Sequence, residues 1–367
     1  MYHNKHILSD YQVRYSLKQF APLEQILFLD IETTGLSPVN SQLYLIGLAF
    51  YENGSWCIEQ YMAERPIEER QLLLELSQIL PRFTHIFHFN GNRFDIPYLM
   101  EKAKEHFVEL DFSVLTGIDI YRRISPYKQL LVLPDCRQKT IEQFLGISRI
   151  DKYTGGELIH IYQAYTKSQN EDSLQLLLQH NLDDMQGMLD IVPVLSYCDL
   201  LEKSPSVYRV ELLRSKNARQ EDVYELSMHI SLVNPIPKRI FAYFDNNYLI
   251  GEGGKLTIKV PVYEKELKFF YANHKNYYYF PELDAAFHKS VAAKIDGGER
   301  RQATAATCYT RKEGAFLKQY DVLVEPFFKE NYKDKASYFE ITEETKQNRQ
   351  LFTFYSRHIL EAIIQSR

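Results

Sequence analysis

The sequence predicts an α/β domain, a five-stranded mixed sheet flanked by helices, followed by a β-rich α+β domain. Three observations carry this. The first two hundred residues alternate short apolar runs with amphipathic helical patterns, as a helix-covered mixed sheet requires. After about Tyr197 the chain turns to short segments rich in β-branched and aromatic residues, punctuated by Asn, Pro and Gly. The 367 residues also exceed one ordinary domain, so the boundaries are set at 20–200 and 205–367.

Taken in order, Gln25 to Ile31 is a short apolar run that reads as a buried strand. Gln42 to Tyr51 and Ser55 to Tyr61 follow as strands around the turn residues Glu52-Asn53-Gly54, giving an antiparallel meander. Pro66 opens an amphipathic helix with Leu72, Leu73, Leu74, Leu76 and Ile79 on its apolar side, closed by Pro81. His85 to Phe89 and Gly117 to Tyr121 complete the five strands. Helices are expected at Ile96 to Lys104, Thr140 to Leu145, Glu157 to Tyr165 and Asp172 to Ile191. In the second half, strands are expected at Val223 to Leu232, Arg239 to Phe244, Leu256 to Tyr263, Glu266 to Tyr271 and Asn276 to Phe280. They are separated at Asn234-Pro235, Asp245-Asn246-Asn247 and Gly253-Gly254. A hairpin around Lys312-Glu313-Gly314 and helices at Glu282 to Lys294 and Glu344 to Ile364 end the reading.

Composition narrows the class. Hydrophobic residues at 45% and charged residues at 25% suit a globular chain. Cys57, Cys136, Cys198 and Cys308 form no CxxC pair, which argues against a zinc knuckle or a disulfide framework and fits a reducing cytoplasm. The first nineteen residues lack the apolar core of a signal peptide, and no run is long enough to span a membrane. A net charge of -5 gives no global attraction for nucleic acid, so contact with a phosphate backbone needs a local basic patch or metal ions.

Three segments carry chemistry. In Asp30-Ile31-Glu32-Thr33-Thr34-Gly35, the acids at i and i+2 share one face at the end of a buried strand. Two carboxylates held together repel unless a cation sits between them, and their oxygens are the ligands that magnesium and manganese prefer. Alone, the pair also fits a solvated loop edge. Phe89-Asn90-Gly91-Asn92-Arg93-Phe94-Asp95-Ile96-Pro97-Tyr98 sets Asp95 near a helix N-terminus, where an acid is also a good structural cap. His180-Asn181-Leu182-Asp183-Asp184 lies in a long amphipathic helix, so His180 and Asp184 are one turn apart on one face. An exposed polar patch would look the same.

Together the three segments resemble the exonuclease motifs of the DEDD (DnaQ-like) superfamily, and most closely the YprB-type ribonuclease-H-like domain. That family reads Asp-x-Glu-Thr-Thr-Gly, then Asn-x-x-x-Phe-Asp-x-Pro-Tyr, then a helix with Tyr or His before a last Asp. The resemblance covers residues 20 to 200 and takes in Asp119-Ile120-Tyr121, Leu133-Pro134, Cys136-Arg137 and Thr154-Gly155-Gly156-Glu157-Leu158. It implies a 3′-to-5′ exonuclease hydrolysing phosphodiester bonds at single-stranded nucleic-acid ends with two divalent cations, Mg2+ or Mn2+. Asp30 would bridge the two ions and Glu32, Asp95 and Asp184 would complete their shells. Ions roughly 4 Å apart activate a water and stabilise the attacking and leaving oxygens. His180 would orient or deprotonate that water, a task suited to an imidazole. Thr33, Thr34, Gly35 and Asn90 would touch the terminal nucleotide. Relatives with His place it five residues before the last Asp and those with Tyr four; here a His takes the Tyr spacing. Asp183 is a second candidate ligand, less well placed on the helix than Asp184.

The second half mixes Lys259, Tyr263, Lys265, Lys268, Phe269, Phe270, Tyr271, His274, Lys275, Tyr277, Tyr278 and Tyr279, which suits either a single-strand-binding surface or ordinary sheet packing. Two further function classes share the same acids: a nucleic-acid-binding module that cleaves poorly, and a structure-specific endonuclease. The sequence leaves DNA against RNA and any protein partner open.

Overall fold

The apolar runs of the first half become strands buried on both faces. The computed structural model describes residues 1–148, 153–203, 206–216, 222–295 and 298–365. It divides into two compact units, Met1–Asp199 with Ile236–Lys238, and Leu200–Pro235 with Arg239–Arg367. The first is built on strands β1 (Tyr2–Leu8), β2 (Ile26–Thr33), β3 (Leu43–Glu52), β4 (Ser55–Met62), β5 (His85–His88) and β6 (Thr116–Asp119). Their order is β1-β4-β3-β2-β5-β6. β2, β3 and β4 form the expected antiparallel meander, while β5 and β6 run parallel to β2. The turn between β3 and β4 places Asn53 and Gly54 at φ 51° and 85°, a conformation in which Asn and Gly are the tolerant residues.

The helices are α1 (Glu69–Ile79), α2 (Asp95–Glu105), α3 (Ile120–Ile124), α4 (Gln138–Leu145), α5 (Gly155–Ser168) and α6 (Glu171–Ile191). Leu72, Leu73 and Leu76 of α1 and Leu99 of α2 pack with Leu27, Leu29, Ile46 and Leu48 of the sheet. Tyr162 of α5 and Leu174 and Leu177 of α6 pack with Tyr44, Leu45 and Met62. Because helices cover both faces, Ile26 to Leu29 are fully buried and read as a continuous apolar run rather than an alternating one.

The sheet has six strands where the sequence reading provides five. The added strand, β1, pairs antiparallel with β4 from Tyr2↔Met62 to Leu8↔Trp56. Its burial alternates along its length, and half-polar alternation at a sheet edge leaves no apolar run to notice.

The second unit holds a six-stranded sheet, ordered β14-β15-β13-β9-β8-β7, and a three-stranded one, β11-β10-β12. The strands are β7 (Val207–Lys216), β8 (Asp222–Phe244), β9 (Asn247–Phe270), β10 (Tyr277–Phe280), β11 (Ala285–His288), β12 (Arg301–Gln302), β13 (Tyr309–Gln319), β14 (Phe327–Phe328) and β15 (Ser337–Glu340). Four expectations are corrected here. β8 and β9 run unbroken through Asn234-Pro235 and Gly253-Gly254. The hairpin expected around Gly314 is instead the middle of β13, where Gly314 pairs with Lys265. The expected helix at 282–294 shrinks to Lys289–Ala292, because β11 folds back on β10 after a turn with Asp284 at φ 46°. The final helical segment is split into Glu343–Gln347 and Arg349–Gln365, the latter lying against β7 and β9.

Candidate active site

Asp30 and Glu32 sit two residues apart near the end of β2 and therefore face the same side, towards α6. On α6, His180 and Asp184 are one turn apart, and His180 is buried. The His180 Nε2 lies 3.1 Å from Asp184 Oδ2 and 3.4 Å from Glu32 Oε1. One ligand atom from each of Glu32, His180 and Asp184 falls within 4.8 Å of the others, a grouping able to hold a metal ion. Asp30 joins from the side: its Oδ2 accepts a hydrogen bond from Asn181 Nδ2 at 3.1 Å. Beneath them Tyr44 is fully buried, its phenol held well above the ordinary range first by burial and then by Glu32, Tyr162, Asp30 and Asp184.

Asp95 reaches the same strand from α2. The parallel pairing of β5 with β2 ends at Phe28↔Phe87, beyond which the β2 backbone needs another partner. Asp95 lies beside that stretch, close enough for the Ile31 N–H to act on its carboxyl. Burial is the largest influence on this carboxyl and pushes it up to about 7, against the lowering effect of its own N–H and that of Ile31. Charge on nearby Asp119 adds to the rise.

The turn from β5 into α2 is built by His88, Asn90, Gly91 and Asp119. Asn90 adopts φ 62°, and its N–H donates to Asp119 Oδ1 at 3.0 Å. The Gly91 N–H donates to His88 Nδ1 at 3.1 Å, which leaves the ring proton on Nε2. Burial lowers the His88 imidazole and keeps it neutral. Asp119 also caps α3 by accepting the Arg122 N–H.

The sequence reading groups Thr33, Thr34 and Gly35 as substrate contacts. In the fold they form the loop directly beyond Glu32: the Thr33 hydroxyl donates to the Gly35 carbonyl at 2.8 Å, and Thr34 Oγ1 accepts the Gln42 N–H at 2.8 Å. Leu36 projects from this loop, 85% exposed. Asp183 accepts Gln179 Nε2 at 2.7 Å and stands outside the Glu32–His180–Asp184 group. Sequence reasoning missed Asn181, His88 and Asp119 as parts of the site. Asn181 lay within a motif already singled out, but only the three-dimensional contact reveals its partner.

Residues 27–196 match the family model of the RNase_H superfamily. The first unit is a ribonuclease H-like domain. Among solved structures, the family B DNA polymerase of the archaeon Pyrobaculum calidifontis is similar at 14% identity and a TM-score of 0.39, over 73% of this chain and 40% of the polymerase. The exonuclease I–single-stranded DNA complex of E. coli, in its zinc-bound form, is similar at 12% identity and a TM-score of 0.29, over 57% of this chain and 55% of that one. The chain thus spans about half the length of these proteins or less. No curated protein matches by sequence. Among the described residues, no helix is long and apolar enough to cross a membrane.

Proposed function

We propose that the protein is a metal-dependent 3′-to-5′ exonuclease of the YprB-type DEDD group, acting on single-stranded nucleic-acid ends. The observation that carries the reading is the convergence of Glu32, His180 and Asp184 on one side of β2, with Asp30 two residues from Glu32 and Asp95 close enough to feel the N–H of the residue between them. Carboxylate oxygens are the donors that Mg2+ and Mn2+ prefer. Asp30, Glu32, Asp95 and Asp184 are the residues proposed to hold two such ions, with His180 beside them. When bound, these ions supply Lewis-acid polarisation of the phosphate and a reactive water at neutral pH.

The chain's own residues do the rest. Water adds to phosphorus, the bond to the penultimate O3′ breaks, and the 5′-nucleotide leaves. His180 takes the proton of the attacking water, and its position between Glu32 and Asp184 fixes the ring for that transfer. The loop Thr33-Thr34-Gly35, tied internally, and Asn90 hold the terminal nucleotide. A cytoplasmic location fits the four cysteines, all buried and none in a disulfide.

The test is product analysis on 5′-labelled linear and on circular single strands. A ladder shortening from the 3′ end, with circles untouched, is expected. Cutting of circles would make the protein an endonuclease, and tight binding without cleavage would make it a binding module.

A further inference from the structure

Asp30, Gly47 and Gln60 lie in one row across three strands: Asp30 is paired with Gly47, and Gly47 with Gln60. Directly paired residues of antiparallel strands share a face, so all three side-chain positions point towards α6. Strands two apart are roughly 10 Å from each other, too far for Gln60 to touch Asp30. The middle position is empty of side chain, and Asn181 of α6 occupies that space. A Cβ on Gly47 would lie 2.4 Å from Asn181 Oδ1 and 2.7 Å from its Nδ2. Glycine inside a strand marks such a close approach.

The polarity of the row is fixed from its far end. Gln60 Nε2 donates to the Leu178 carbonyl at 2.8 Å and to Asn181 Oδ1 at 3.0 Å. A main-chain carbonyl only accepts, so the Gln60 amide cannot turn round. Asn181 must then offer its oxygen to Gln60 and its nitrogen to Asp30 Oδ2, at 3.1 Å. A flipped Asn181 would set its oxygen against the carboxylate and its NH2 against that of Gln60. Gln60 and Asn181 are fully buried, and Gln60 Oε1 finds no partner among the described residues, so the row keeps its direction at the expense of one buried acceptor.

We propose that Gln60 and Asn181, with Gly47 as the gap between them, are positioning residues that lock Asp30 in a single rotamer through the oxygen that Asn181 holds. The proposal rests on the metal-site reading of Asp30. Partners behind a ligand of this kind change metal affinity about 10- to 100-fold when removed.

The experiment measures Mn2+ binding to the full chain by the loss of the free-ion electron paramagnetic resonance signal, without substrate. Wild type, Asn181→Leu, Gln60→Leu and the double variant are compared, with unfolding midpoints taken on the same samples. Each single change is expected to weaken Mn2+ binding about 10- to 100-fold in protein that remains folded. The double variant should be no weaker than Asn181→Leu alone, because Gln60 acts only through Asn181. Should Asn181→Leu fail to fold, Gln60→Leu decides alone. Wild-type affinity in the folded single variants, or losses that simply add, overturns the relay while leaving the metal site standing. A wild type that binds no Mn2+ overturns the metal-site reading and the relay with it.

Discussion

The main-chain N–H of Ile31, the residue between Asp30 and Glu32, acts on the carboxylate of Asp95 and favours its charged form. The first turn of α2 thereby stands beside the strand that carries two other acids. Asp95 is only 5% exposed, so burial opposes that charge more strongly than the N–H favours it.

This burial predicts a pH-dependent stability. With the Asp95 carboxyl raised to about 7, above the ordinary Asp value of about 3.9, the folded chain holds a proton that the unfolded chain has lost. Its contribution is therefore favourable at low pH and declines as pH rises from about 4 to about 7, by up to about 1.4 kcal/mol per pH unit. In chelator, wild type should lose stability relative to Asp95→Asn between pH 5 and pH 8, and added Mn2+ should restore it. Parallel pH profiles for the two proteins would contradict the assignment; denaturant melts at each pH supply them.

Gly91→Ala should disturb the same turn. A Cβ there would fall 2.7 to 2.9 Å from the Cγ, Nδ1 and Cβ of buried His88. Overpacking of this kind costs roughly 1 to 3 kcal/mol, and the turn carries Asp95. Urea unfolding should register the destabilisation and Mn2+ titration a weaker site.

Tyr162→Phe should be neutral or stabilising. Tyr162 stacks on Tyr44 with ring centroids 4.2 Å apart, but its hydroxyl is buried and has no partner among the described residues. Removing the hydroxyl keeps the stack and relieves a burial penalty of about 1 to 3 kcal/mol. A clear loss of stability in thermal melts would mean that the hydroxyl is satisfied.

His180→Ala should lower kcat by about 10²- to 10⁴-fold while leaving KM within a small factor, as loss of a proton acceptor does. A change confined to KM would make His180 a binding residue instead.

Much of this was legible in the sequence because the signals are local. The apolar run of β2 and the i, i+2 spacing of Asp30 and Glu32 need only a few neighbouring residues, and the one-turn spacing of His180 and Asp184 needs only a helix. What escaped depends on distant partners. Asn181 meets Asp30 across 151 positions of chain. Gly47, inside an apolar strand, was the available clue to that contact. In the second unit, β8 and β9 have 23 and 24 residues, far beyond the usual five or six, so their Pro and Gly residues were read as ends. Gly314 does not adopt a positive φ, and nothing turns the chain there.

The measurement that bears most directly on the account is degradation of end-labelled single-stranded DNA and RNA by the full chain with Mg2+, Mn2+ or chelator, beside Asp95→Ala. The account predicts metal-dependent shortening from the 3′ end that the substitution abolishes. Degradation that survives in chelator or in Asp95→Ala, or no hydrolysis of either strand with either metal, would contradict it.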